Sequence, residues 1–381
     1  MRSPTPIVAL AGFLLVGAAC TKNDTDSASG NVKVRSTDDA CEVSAAAAPS
    51  GNVVFEVTND GSEVTEFYLL ADDGLRIIGE VENIGPGISR NLVVQAAPGG
   101  YFTACKPGMV GDGIRSAFTV SDSGQEVATG DVADLIATGT EQYRLYVRDQ
   151  VGQLVAKTQQ FADLYTAGSD DEARALYADA RTHWERIEPV AESFGDLDPK
   201  LDLREADLEA GQAWTGWHAI EKDLWPPASD YTPFTADERT ALAALLVVDT
   251  TDLSARVQEL TYDATQLGNG AKELLDEVAT GKVTGEEEIW SHTDLWDFQA
   301  NVDGARIAFE NLQPALETKD PDLATTLTER FTALQQLLDR HRDGEGFQLY
   351  TELSTAEIKA LADAVNALSE PLAELTAAVV L

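Results

Sequence analysis

Apolar and polar residues alternate through the first third of the chain. In the stretch NVVFEVTN, Val53, Phe55 and Val57 recur at every second position, the repeat that puts side chains on one face of a strand. Comparable runs occupy Val64–Ala71, Arg76–Asn83, Arg90–Gln95, Tyr101–Cys105 and Ser116–Val120. Turn formers separate them: Asn59-Asp60-Gly61, Asp72-Asp73-Gly74, Gly85-Pro86-Gly87 and Pro98-Gly99-Gly100. Short strands at this spacing predict a small β-sandwich over residues 32–122.

From about Gly130 the period lengthens to that of a helix. Tyr143, Val147, Val151, Leu154, Phe161 and Tyr165 share one stripe. Further helices are predicted over Ser169–Val190, Asp202–Leu224, Thr235–Leu246, Thr251–Ala279, Gly285–Leu316, Pro321–Arg342 and Ser354–Val380. Thr235 and Ser354 read as N-caps, Asp320-Pro321 as a cap followed by a first-turn proline, and Pro226-Pro227 and Gly281 as stops. Long helices with short joins predict an all-α bundle over residues 129–381.

The first thirty residues read differently. Arg2, the apolar run Ile7–Val16 and the small residues Gly17-Ala18-Ala19 before Cys20 have the layout of a signal peptide. Cys20 after small residues resembles a lipobox, which makes it the lipidation site; residues 21–31 then form a polar linker. No other run reaches the ~18 apolar residues of a membrane span. The expected location is therefore extracytoplasmic, in the periplasm or at the cell surface, lipid-anchored to the cell membrane, where thiols are oxidised.

The charge sharpens this picture. Against 27 basic residues stand 65 acidic ones, a formal net charge of −38. Such a field repels nucleic acid and attracts cations. The chain has no G-x-S-x-G, no Gly-rich phosphate loop and no H-E-x-x-H.

All four histidines, His183, His218, His292 and His341, fall in the helical region. His218 and Glu221 are three apart, so on a helix they point from one face and can meet one metal ion. An imidazole with a carboxylate suits iron, zinc or manganese. Asp207 precedes His218 by eleven residues, about three turns, and faces the same way on an unbroken helix. A second cluster, GEEEIWSHTDLWDFQANVDG, holds Glu288 four before His292, and Asp294 three before Asp297. His183 and His341 sit among charged neighbours and read as solvated. In the sandwich, Cys105 ends a strand and Met109 follows in a loop. Cys41 and Cys105 are expected to form a disulfide, with Cys41, Cys105 and Met109 on copper as the alternative.

Several blocks resemble the EfeO family of bacterial iron-uptake proteins. EVTEFY, GEVENIGPG and GGYFTACKPGM are similar to the family's cupredoxin-like domain. The R-E-x-D…W-T-G-W-H-x-I-E-K-D-L-W pattern of Leu203–Trp225, and SHTDLWDFQAN, resemble its imelysin-like domain. The resemblance implies a cupredoxin-like sandwich followed by an imelysin-like helical bundle. It implies iron, Fe(II) or Fe(III), as cargo, with copper or zinc as further metals. By position it implies His218 and Glu221 as ligands, then Glu205 and Asp207, then His292 and Asp294, and it pairs Cys41 with Cys105. The partners it implies are an iron permease of the same system and a haem-dependent dye-decolourising-type peroxidase. The alternative activity is an imelysin-like metallopeptidase, which lacks a second local histidine here. The expected protein is a metal-binding transport component rather than an enzyme.

Overall fold

The computed structural model describes residues 31–74, 76–124, 130–208 and 211–381. The predicted leader, Cys20 and most of the linker lie outside them. Among the described residues nine strands build the sandwich: β1 (Val32–Ser36), β2 (Cys41–Val43), β3 (Ala47–Pro49), β4 (Gly51–Asn59), β5 (Thr65–Leu70), β6 (Ile77–Ile84), β7 (Ser89–Ala96), β8 (Gly99–Cys105) and β9 (Ile114–Ser121). One sheet runs β2-β1-β4-β7 and the other β3-β9-β8-β5-β6. β1 pairs parallel to β4, and β3 parallel to β9; the remaining pairs are antiparallel.

The alternation read in β4 is the alternation observed. Val53, Phe55 and Val57 are buried, and Phe55 packs on Phe67 and Phe118 with ring centroids 5.1 and 5.4 Å apart. Aromatic rings at this spacing fill the gap between facing sheets. Cys41 on β2 and Cys105 on β8 join in a disulfide that ties one sheet to the other. With both sulfurs so bonded, neither is a thiolate for copper, and the copper alternative on Cys41, Cys105 and Met109 loses its two strongest donors. Met109 lies in the following loop with a positive φ and is partly exposed.

The helical part comprises α1 (Asp131–Ala167), α2 (Asp170–Glu185), α3 (Asp198–Leu201), α4 (Trp217–Leu224), α5 (Ala236–Glu259), α6 (Ala264–Thr280), α7 (Asp294–Lys319), α8 (Pro321–Leu338), α9 (Thr355–Leu372) and α10 (Leu375–Val380). A two-stranded ribbon, β10 (Arg342–Asp343) with β11 (Gly346–Phe347), interrupts them. Tyr143, Val147, Val151, Leu154, Phe161 and Tyr165 are all fully buried along α1, and they form one core with the buried faces of the other helices. Thr235 and Ser354 each close a capping box, and the Asp320 carboxylate accepts from Leu323 N–H, satisfying backbone donors that a helix start leaves open.

Four predicted helices are corrected. The break expected near residues 247–250 is absent: α5 continues to Glu259, and Thr250 and Thr251 bond back to the carbonyls of Leu246 and Val247. The chain breaks instead at Leu260–Asp263, where Asp263 caps α6. The helix expected over Asp202–Leu224 survives only as a single turn at Glu205–Asp207 and the eight residues of α4; α3 ends at Leu201, before it. Gly211 and Gly216 adopt positive φ values of 90° and 85°, which turn the chain out of the right-handed helix. The helix expected from Gly285 starts only at Asp294; before it Glu287 and Glu288 are buried in a non-helical stretch while Glu286 is exposed.

The sandwich docks on α6. Asn269 Nδ2 donates to Val93 O at 2.8 Å, and Gln95 N donates to Thr265 Oγ1 at 3.1 Å. Asn52 Nδ2 also reaches Val380 O at 2.8 Å.

Candidate metal centre

His218 sits in the first turn of α4, fully buried, with Glu221 one turn on. Gly216 fixes the entry to that turn. A Cβ at Gly216 would lie 2.2 Å from Leu201 O, so only glycine lets α4 pack this tightly on the end of α3. The two faces of the imidazole then meet different carboxylates. Its Nδ1 lies 3.4 Å from Glu221 and 3.9 Å from Glu288; its Nε2 lies 3.4 Å from Asp202 and 3.5 Å from Glu287. Two three-residue groups with metal-ligand spacing result, Asp202–His218–Glu287 and His218–Glu221–Glu288, each with its ligand atoms within 4.8 Å of one another.

A shell of donors holds these acids. Glu221 Oε1 accepts the backbone N–H groups of Trp290 at 3.1 Å and Ser291 at 2.7 Å. Ser291 Oγ donates to Glu288 at 2.9 Å, and Trp184 Nε1 to Asp202 at 2.8 Å. Arg181, fully buried on α2, pairs with Glu185 and Asp202 and reaches Glu288 at 2.7 Å. Lys282 bridges Glu185 at 3.0 Å and Glu188 at 2.9 Å. Buried acids thus have buried cations beside them, as desolvation demands.

The titration of these groups follows from their neighbours. Burial and the Arg181 charge push the His218 pKa down, but the nearby carboxylates of Asp202, Glu221 and Glu287 outweigh both and hold it well above the ordinary imidazole value. Burial raises Asp202 and Glu287, yet Arg181 pulls Asp202 well below the carboxylate range and Lys282 brings Glu287 to about 2. Burial keeps Glu288 and Asp297 high, and lifts Asp294 to about 6. The ionised Asp202, Glu221 and Glu287 around this buried imidazole form a donor set for a cation that displaces the imidazole proton.

His218 opens onto a pocket of about 390 Å³ lined also by Arg204, Glu205, Asp207, Glu287, Ile289 and Trp290. Of the acids expected beside His218, Glu205 and Asp207 line this pocket but join neither ligand group. Glu205 pairs with Lys222, and Asp207 binds Arg204 at 2.8 Å. The three-turn alignment expected of Asp207 with His218 fails because the helix is broken. His292 also joins neither group. It adopts φ 61° at the turn before α7, where its backbone N–H bonds Glu288 O and its carbonyl accepts from Tyr350. Asp294 is buried nearby, and its Oδ1 accepts the Glu288 N–H, so it braces a ligand candidate. His183 and His341 are buried, not solvated; His183 Nδ1 bonds Gln150 at 2.8 Å. Asp202, Glu287 and Arg181 were missed. Asp202 and Glu287 lie in segments read as helix that fold instead as the cap of α3 and the non-helical stretch before α7, and the run Glu286-Glu287-Glu288 is the one trace the sequence carries of them.

The family model for imelysin matches residues 139–375, and that for the cupredoxin-like domain matches residues 7–120. The chain is 37% identical over 347 residues to the iron uptake system component EfeO of Yersinia pseudotuberculosis, covering 90% of each chain. It is 35% identical, with the same coverage, to the protein of that name from Escherichia coli. The chain belongs to the EfeO family. Its two-domain order, cupredoxin-like then imelysin-like, is that of the family models along the sequence. The names of these EfeO relatives describe an uptake component, and neither names an enzyme. Imelysin likeness marks descent and fold, and by itself does not establish proteolysis. Among the described residues, no helix is long and apolar enough to cross a membrane.

Proposed function

We propose that this chain is the extracytoplasmic iron-binding component of an Efe-type uptake system. It takes ferrous or ferric iron at His218 and Glu221 and passes it to a membrane permease. The observation that carries this reading is the meeting of Asp202, Glu221, Glu287 and Glu288 on one buried imidazole, in a chain of this family. One imidazole among carboxylates is a donor set that favours iron over the thiolate-seeking metals. Asp202 and Glu287 offer a second flank on the Nε2 side. Arg181 and Lys282 keep the acids oriented when no cargo offsets their charge. Glu205 and Asp207 at the pocket rim attract the incoming cation. In this reading Cys20 carries the lipid anchor, and the haem-dependent peroxidase is a partner.

The test is a titration of the metal-free chain with Fe(II), Fe(III), Zn(II) and Cu(II), the wild type beside His218→Ala/Glu221→Ala. The wild type binds iron stoichiometrically, and the double variant loses affinity on the order of 100-fold or more with unchanged helix content. Equal iron affinity in both proteins overturns the assignment.

A further inference from the structure

Two of the acids around His218 arrive on a loop that one tyrosine ties down at both ends. Asp202 is the C-cap of α3, and Glu221 lies on α4. Glu287 and Glu288 come instead from the stretch between α6 and α7. That stretch is entered and left through two left-handed residues, Gly285 at φ 76° and His292 at φ 61°. Histidine seldom takes this conformation and keeps it only where surrounding bonds impose it.

Tyr350 supplies such bonds at both ends. It lies in the single turn before α9 and is buried. At the first end its phenol donates to Val283 O, and its ring lies over Gly285, where a Cβ would stand 2.5 Å from a ring carbon. At the second end its backbone N–H donates to His292 O at 2.9 Å. The chain just before the loop is fixed separately, since Lys282 is bound to Glu185 and Glu188.

The loop's inner ties run to the site itself. Glu221 uses its two oxygens differently: Oε1 accepts the N–H groups of Trp290 and Ser291, and Oε2 lies 3.4 Å from His218 Nδ1. On the outer side Trp290 leans on Trp214, with ring centroids 5.7 Å apart, and Lys222 lies 5.2 Å from the Trp290 ring. Glu288 is fully buried while its neighbour Ile289 is exposed. One thickness of chain therefore separates the centre from water here.

We infer that residues 285–292 form a hinged cover over the metal centre and that Tyr350 is the latch that positions it. With the cover closed, an ion at His218 meets acids from both sides. With the cover lifted, Glu287 and Glu288 leave, and Asp202, His218 and Glu221 remain. Losing two carboxylates weakens the hold on the ion, so lifting the cover is the release step. By linkage, an ion in the centre favours the closed cover. That iron is the cargo rests on the His218 reading; the cover and its latch rest on the chain's own bonds.

Tyr350→Phe is the test, because it deletes the phenol oxygen and keeps the ring. Amide hydrogen exchange is followed on the full chain, metal-free and with Fe(II) under argon, and Fe(II) release to the ferrous chelator ferrozine is timed. In wild type, residues 286–292 exchange ahead of α6 and α7, and Fe(II) slows them. In metal-free Tyr350→Phe they exchange roughly tenfold faster than in wild type, α6, α7 and α9 keep their rates, and the loaded variant releases Fe(II) faster by a similar factor. Equal exchange of the cover in metal-free wild type and Tyr350→Phe overturns the latch. Faster exchange spread evenly over α6, α7 and α9 also overturns it, because that marks general loosening. If wild type takes up no Fe(II), the His218 reading falls, and the metal-free exchange still decides the latch.

Discussion

Arg181 shows how a single side chain can hold a site together. Its guanidinium touches Glu185, Asp202 and Glu288 with no exposure to solvent. Arg181→Met removes the charge and keeps much of the volume. It leaves buried carboxylates without their partner, a change that costs about 3–5 kcal/mol. Urea denaturation of the metal-free protein measures this; a loss under 1 kcal/mol would show that the neighbouring acids are protonated and indifferent to the guanidinium. His183 gives a test in pH. Burial, with Lys157 and Arg186 nearby, lowers its pKa to about 4 against weaker opposing pulls from Asp179 and Asp149. The unfolded chain therefore takes up this proton near pH 6.5 while the folded one refuses it until about pH 4. Stability from this group is intact at neutral pH and falls as pH drops through that window, by up to about 3 kcal/mol. His183→Gln should flatten the acid side of the melting-temperature profile. Unaltered slopes would mean that the acids alone set it. At this scale the sequence was only partly legible. The spacing of His218 and Glu221 states a shared face directly, because both lie on one helix. Asp202, Glu287 and Arg181 reach the same imidazole from separate elements, and spacing carries no information about such meetings.

Elements were read more securely than their ends. β4 and α1 announce themselves by a repeat that coincides with burial, and Thr235 and Ser354 by cap chemistry that the backbone needs locally. The segment before α4 was misread because its acids and apolar residues still fit a helical spacing. What stops the helix is backbone geometry at two glycines. Gly216→Ala tests the consequence. The new Cβ meets the Leu201 carbonyl in a left-handed conformation that alanine resists. The first turn of α4 then shifts, taking His218 with it. We expect iron affinity to fall at least tenfold, while the melting temperature drops by a few degrees. Wild-type affinity would show that α4 is positioned by its core residues Trp217 and Ile220 instead.

Across the whole molecule, two domains of different texture were evident from the change of period near Gly130. Their docking was not, since Asn269 with Val93 and Thr265 with Gln95 are single polar contacts between distant parts of the chain. The acids at that junction, scattered over residues 80–277, look like ordinary surface charge in sequence and become a chamber only once β6 lies on α6.

The Cys41–Cys105 bond closes 64 residues of chain across the two sheets. A crosslink of that span removes unfolded-state freedom worth about 4 kcal/mol. The sandwich therefore depends on where the polypeptide has been as well as on its sequence. Chain made and kept among reducing thiols would leave the ribosome with a looser first domain, and that domain carries one wall of the acid chamber. Biogenesis in an oxidising compartment becomes a checkpoint, after which both halves of the molecule can grip one another.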